Sequence, residues 1–200
     1  TVIDVSDPAV PRLITSVERP GATIAARERA GIVHWVTSSQ GRPQGLDCAA
    51  IAHPEAPSGA GLLTVSALDP AAAKTDQPGS VIGGATAVTA GGDLVYASTD
   101  RLYVATTNGG WWGPWVRPAV DAVPDRATLS RGDIAAPAAA PDPVVRTMIH
   151  GFDIGTGTTL RYLASGSVEG TLLSRWSMSA REGYLRVATT RILPGTTRPG

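Results

Sequence analysis

Hydrolytic chemistry needs a nucleophile, a base and a group that orients the base, held together in space. The chain has three histidines, His34, His53 and His150. His34 lies in the apolar run Ile32-Val33-His34-Trp35-Val36, where a packed imidazole is a simpler reading than a general base. His150 opens a strand leading to Phe152 and Asp153, and Asp153 is placed to cap a turn. No G-x-S-x-G elbow exists, because the run SGSVEG has the wrong spacing. Lys74 is the only lysine, so no S-x-x-K pair is available. No catalytic residue is assigned, and acyl-transfer chemistry is not expected.

Cys48, His53 and Glu55 are ligand types that zinc accepts, but a structural zinc site usually takes four ligands in paired clusters. No second cluster is present, and the D-x-[DN]-x-[DN]-G spacing of a calcium loop is missing too. Asp4, Asp7, Asp69 and Asp153 all sit where turn chemistry explains them. No metal and no cofactor are expected, since phosphate-cradling G-x-x-x-x-G-K-[ST] is also absent.

The one local feature that invites binding is Trp111-Trp112-Gly113-Pro114-Trp115. Three indoles within five residues could form a stacking platform for a sugar ring or a peptide. Tryptophan is highly buried on average, so packing of these rings within the fold is the competing reading.

Charge excludes other partners. Seventeen basic and seventeen acidic residues cancel, leaving no net field to gather nucleic acid or an anionic membrane. The cluster Arg12, Arg19, Arg27 and Arg29 is accompanied by Glu18 and Glu28, and strand alternation would divide it between two faces. No apolar run approaches the roughly 20 residues of a membrane-spanning helix.

The elements that must position these residues are strands. With 23 glycines and 16 prolines among 200 residues, the chain is hostile to long helices and suited to short strands and turns. Strand patterns open at Val2–Val5 and recur at Ala22–Arg27, Ile32–Val36, Leu62–Val65, Thr86–Thr89, Leu94–Ser98 and Leu102–Thr106. Further strands are predicted at Met148–Ile154, Leu160–Ser165, Leu172–Met178 and Leu185–Thr189. Glu28-Arg29-Ala30-Gly31 reads as a hairpin loop with glycine at a positive φ. Residues 40–61 and 108–146 read as long loops.

Three segments share a plan, an opening strand ending in Asp and a closing strand ending in Thr or Ser. They run from TVIDVSDP to IVHWVTSS, from LLTVSALDP to LYVATT, and from IHGFDIG to YLRVATT. Each spans roughly the 40–45 residues of a four-stranded propeller blade. The pattern favours a propeller-like repeat over a β-sandwich, and the predicted class is all-β, a partial β-propeller of about three four-stranded blades at 1–39, 62–107 and 147–190, with the ring not closed. Both chain ends are expected to be cut from a longer protein.

The opening VIDVSDPAVPRLI resembles the strand-turn of bacterial repeat propellers. The blocks CAAIAHPEAPSGAGLLTVSALDP, VYASTDRLYVATT and IHGFDIGTGTTLRYLASGSVEGTLLSRWSMSAREGYLRVATT, in that order, resemble bacterial secreted proteins with a C-terminal β-propeller distantly related to WD repeats. That resemblance implies an extracytoplasmic protein, secreted or membrane-anchored, and a longer parent chain. It implies no particular reaction. In that setting Cys48, the only cysteine, is expected to pair with a cysteine outside this chain. The expected function is a noncatalytic binding or scaffold module for an unknown protein or a cell-envelope glycan. The alternatives are a hydrolase or lyase with active residues mostly in other blades, and carbohydrate binding through Trp111, Trp112 and Trp115.

Overall fold

A computed structural model describes residues 1–41, 46–56, 58–108 and 145–191. Thirteen strands are present among them, in chain order β1 (Val2–Asp4), β2 (Arg12–Thr15), β3 (Ala22–Arg29), β4 (Ile32–Ser39), β5 (Ile51–Ala52), β6 (Leu62–Leu68) and β7 (Ile82–Thr89). They continue as β8 (Leu94–Ala97), β9 (Arg101–Asn108), β10 (Arg146–Asp153), β11 (Arg161–Glu169), β12 (Met178–Arg181) and β13 (Tyr184–Val187). Only short 3₁₀ turns interrupt them, and no α-helix occurs among the described residues. The all-β expectation holds.

The strands form two main sheets. The first runs β3-β4-β6-β7 in antiparallel meander, with β5 added in parallel at the β7 edge. The second is the antiparallel meander β8-β9-β10-β11. Two hairpins, β1-β2 and β12-β13, flank them.

Alternation along the strands explains the stacking, because successive side chains leave a strand on opposite faces. Val36, Leu63, Val65 and Val88 of the first sheet meet Val95, Leu102, Val104 and Phe152 of the second in one buried cluster. The odd positions of β9 and β10 serve the other face: Ala105 and Ile149 pack with Leu172 and Met178 of the C-terminal hairpin region. The second sheet is thus covered on both faces. On the outer side of the first sheet, Val33 and Trp35 face Val2 and Val17 of the N-terminal hairpin segment across a cleft of about 260 Å³. Burying a side chain such as Phe152 completely is worth roughly 2–3 kcal/mol.

The shared sequence plan falls at equivalent strand positions of the two main sheets. IVHWVTSS is β4, the second strand of its sheet, and LYVATT lies in β9, also a second strand. The Asp-ended openings fall on β6 and β10, the third strands. Each sequence unit therefore begins on a third strand and ends on the second strand of the following sheet. By the same match, β1-β2 has the sequence of third and fourth strands and β12-β13 that of first and second strands.

Turn geometry repeats as well. Ala30 and Gly31 between β3 and β4 have φ of 50° and 82°, and Glu182 and Gly183 between β12 and β13 have φ of 55° and 78°. Two consecutive positive φ values make the two-residue turn that matches strand twist. Glu28 reinforces the first, its carboxylate accepting from the Gly31 N–H at 2.7 Å. Aspartates cap the other turns: Asp4, Asp7, Asp69 and Asp153 each accept a backbone N–H two residues on, at 2.9 to 3.0 Å.

One predicted strand is corrected. Leu172–Met178 is not extended throughout, because Ser174 accepts from the Trp176 N–H and folds Arg175–Ser177 into a 3₁₀ turn. The segment 40–61, read as a loop, contains a 3₁₀ turn at Cys48–Ala50 and the two-residue β5.

Candidate functional site

The third strand of the second sheet, β10, carries Met148, His150 and Phe152 on the face turned toward the first sheet. Phe152 seats in the shared core, while His150, fully buried, brings an imidazole into it. A buried imidazole must be neutral or matched by partners. His150 has a hydroxyl on each nitrogen: Nε2 lies 2.8 Å from Ser58 Oγ and Nδ1 lies 2.5 Å from Ser165 Oγ. Burial holds its pKa down at about 4, so the ring is neutral at physiological pH.

Each partner arrives by a different route. Ser58 precedes β6 and is fixed by its own backbone, whose carbonyl accepts from the Gly91 N–H at 2.8 Å. Ser165 stands directly opposite His150 on β11. Tyr162 extends the chain, its hydroxyl 2.5 Å from Ser165 Oγ. Residues three apart on a strand normally point to opposite faces. Here the register shifts between Gly151 and Phe152, so that Gly151 pairs with Ala164 and Phe152 with Tyr162. That bulge absorbs Leu163 and returns Tyr162 to the face of Ser165. The Tyr162 ring then packs edge-on against Phe152 at 5.6 Å.

The hydroxyl end of this chain opens into a cleft of about 440 Å³. Met148, Tyr162, Ser165 and Ser167 form one wall, and His53 and Glu55 line the other. His53 Nδ1 is 3.3 Å from Thr89 Oγ1. The chain Tyr162–Ser165–His150–Ser58 has two consistent donor orders. In one, Tyr162 donates to Ser165, Ser165 to Nδ1, and the Nε2–H to Ser58; in the other, every proton is reversed. A ligand at the cleft therefore meets a group that donates or accepts as required.

The residues singled out in the sequence are dispersed. His34 is buried on β4, with its pKa lowered by burial first, aided by Arg29 and opposed by the backbone of its cross-strand partner Arg27. It packs, as its apolar surroundings predict. Cys48 is an exposed free thiol in its 3₁₀ turn. Among the described residues no three His, Cys, Asp or Glu side chains gather as metal ligands, so Cys48, His53 and Glu55 form no such group. Trp111, Trp112 and Trp115 lie outside the described residues. No helix among the described residues is long and apolar enough to cross a membrane. Ser58, Tyr162 and Ser165 were missed by sequence reasoning, and the only signal near them was the SGSVEG run.

Successive four-stranded meanders stacked face to face, with loops gathered at their ends, define a partial propeller, a framework that presents surface. The family comparison agrees: a model described as a beta propeller domain matches residues 1–199, and the chain belongs to that family. Comparison with curated proteins and with solved structures returns no match.

Proposed function

We propose that this chain is an extracytoplasmic propeller module that binds or scaffolds a partner, either a protein or a cell-envelope glycan. The observation that carries the reading is the stacking of successive sheets through continuous apolar clusters, which leaves loops and clefts as the surface open to a partner. The extracytoplasmic setting rests on the resemblance to bacterial secreted propellers, and the exposed thiol of Cys48 is open to a cysteine outside this chain. Trp111, Trp112 and Trp115 are the residues proposed for stacking on a glycan.

The test is binding of the folded protein to immobilised cell-wall polysaccharide and to purified envelope proteins. Saturable binding to either class supports a module. Loss of polysaccharide binding in Trp112→Ala and Trp115→Ala assigns it to the tryptophans, and absence of saturable binding to both classes overturns the reading.

A further inference from the structure

The Ser165–His150 pair has a consequence independent of any binding partner. Ser165 Oγ has three directions for hydrogen bonds, one donor and two lone pairs. His150 Nδ1 can take its proton at 2.5 Å, and the Tyr162 hydroxyl occupies one lone pair at 2.5 Å. The remaining lone pair belongs to an atom in the wall of the 440 Å³ cleft. Ser58 holds the far nitrogen at 2.8 Å, which orients the ring as a third group orients the base in nucleophilic serine sites.

We propose that Ser165 is an acylatable nucleophile with His150 as its general base, so that the cleft reacts with carboxylic esters bearing a good leaving group. In the first step Ser165 Oγ forms a bond to the acyl carbon and its proton passes to Nδ1 of His150. The Tyr162 hydroxyl, beside the same atom, is placed to donate to the developing oxyanion. The carbon–oxygen bond to the leaving group then breaks, and the imidazolium returns its proton to the departing oxygen. In the second step water attacks the acyl-serine, its proton passes through Nδ1, and the carboxylic acid and free Ser165 are released. Ser58 is a positioning residue and supplies only a neutral hydrogen bond where a carboxylate would supply charge. Acylation is therefore slow, and it favours activated esters.

The test uses the full chain with p-nitrophenyl acetate and with a fluorophosphonate, which reacts by forming a serine–phosphorus bond and releasing fluoride. Peptide mapping is expected to place one adduct on Ser165, absent in Ser165→Ala. His150→Gln is expected to slow labelling about a hundredfold, the usual scale of a general base. Tyr162→Phe, which leaves the Ser–His contact in place, is expected to slow it several-fold. The wild-type rate is expected to hold from pH 8 down to about 5 and to fall toward pH 4, where His150 protonates. Glu55 and His53 across the cleft and Tyr162 on β11 are the other titratable groups facing the pair. Glu55→Gln and His53→Gln, which alter the cleft wall and can change the rate, are expected to leave the midpoint of the acid limb in place. No adduct on Ser165 in the folded protein, or an undiminished rate in His150→Gln, overturns the proposal. If the Ser165 and His150 variants do not fold, the wild-type adduct decides: its absence from Ser165, or a labelling rate that does not fall on acidification, overturns the proposal.

Discussion

Thr158 lies directly against the backbone of Gly83, so that a Cβ on that glycine would stand 2.2 Å from the Thr158 Cβ. The next residue is equally confined, with a Cβ on Gly84 falling 2.6 Å from the Thr158 carbonyl oxygen. Here the turn after β10 closes over the last long strand of the first sheet, and the backbone of Gly83 and Gly84 lets Thr158 approach closely. Gly84→Ala meets a carbonyl that cannot rotate away, and is expected to cost about 1–3 kcal/mol, the usual range for overpacking. Gly83→Ala meets a side chain, and Thr158→Gly is expected to recover most of its cost. Urea denaturation of the single and double variants measures the coupling.

The two-residue turns invite the opposite change. Ala30 and Glu182 hold φ near +50° without the glycine that this conformation favours. Asparagine tolerates the left-handed region and leads the preferred Asn-Gly pair. Ala30→Asn and Glu182→Asn are each expected to stabilise the protein by about 0.5–1 kcal/mol, read as a rise in the denaturation midpoint. Because the turns lie at opposite ends of the chain, the two gains are expected to add.

These turns also show how far sequence carries. The Gly31 turn, the Asp caps and the strand-rich class follow from local chemistry, so Glu28–Gly31 and Asp153 could be read in advance. The pairing of the strands could not. An echo such as VATT at 104–107 and 187–190 marks equivalent positions but not which neighbour each strand pairs with, since pairing joins residues far apart, as Ser39 with Leu62. The candidate site was hidden for a related reason. Ser58 and His150 meet across 92 residues, and Tyr162 joins Ser165 only because one residue of bulge reverses the alternation. Leu172–Met178 misled because its apolar residues suit a strand, while Ser174 supplied a local cap that competes with one.

The Tyr96 hydroxyl accepts the Ala180 N–H at 3.1 Å, a polar tie between β8, the edge strand of the second sheet, and the C-terminal hairpin. Tyr96 also packs in the cluster that covers that hairpin. Tyr96→Phe retains the ring and leaves a partly buried donor without its acceptor, at a cost of about 1–2 kcal/mol. The loss is expected to be local. Hydrogen exchange should quicken in β12 and β13, and β3 to β7 should keep their protection. Equal loss of protection in both regions would show that the hairpin and the first sheet open as one unit.

The pH dependence of stability follows from His150. Its pKa is about 4 in the folded protein, against 6.5 for an ordinary imidazole. Because the unfolded chain binds the proton more readily, stability falls as pH drops below the unfolded value, and the fall is complete once pH passes below the folded one. Across that window the single group accounts for about 3 kcal/mol. His34, also lowered by burial, adds loss of the same sign. Asp153 acts in the same direction at lower pH. The Gly155 N–H first, then Arg161 and Arg101, hold its carboxyl below the usual range, and that stability is lost only as pH falls through its folded pKa. Denaturation midpoints should therefore be flat above pH 7 and decline steadily from pH 6.5 to 4. A His150→Gln variant should start from lower stability and decline less, because its side chain takes no proton in that window. A midpoint as high at pH 4.5 as at pH 7.5 in the wild-type protein would show that His150 is not held neutral in the core.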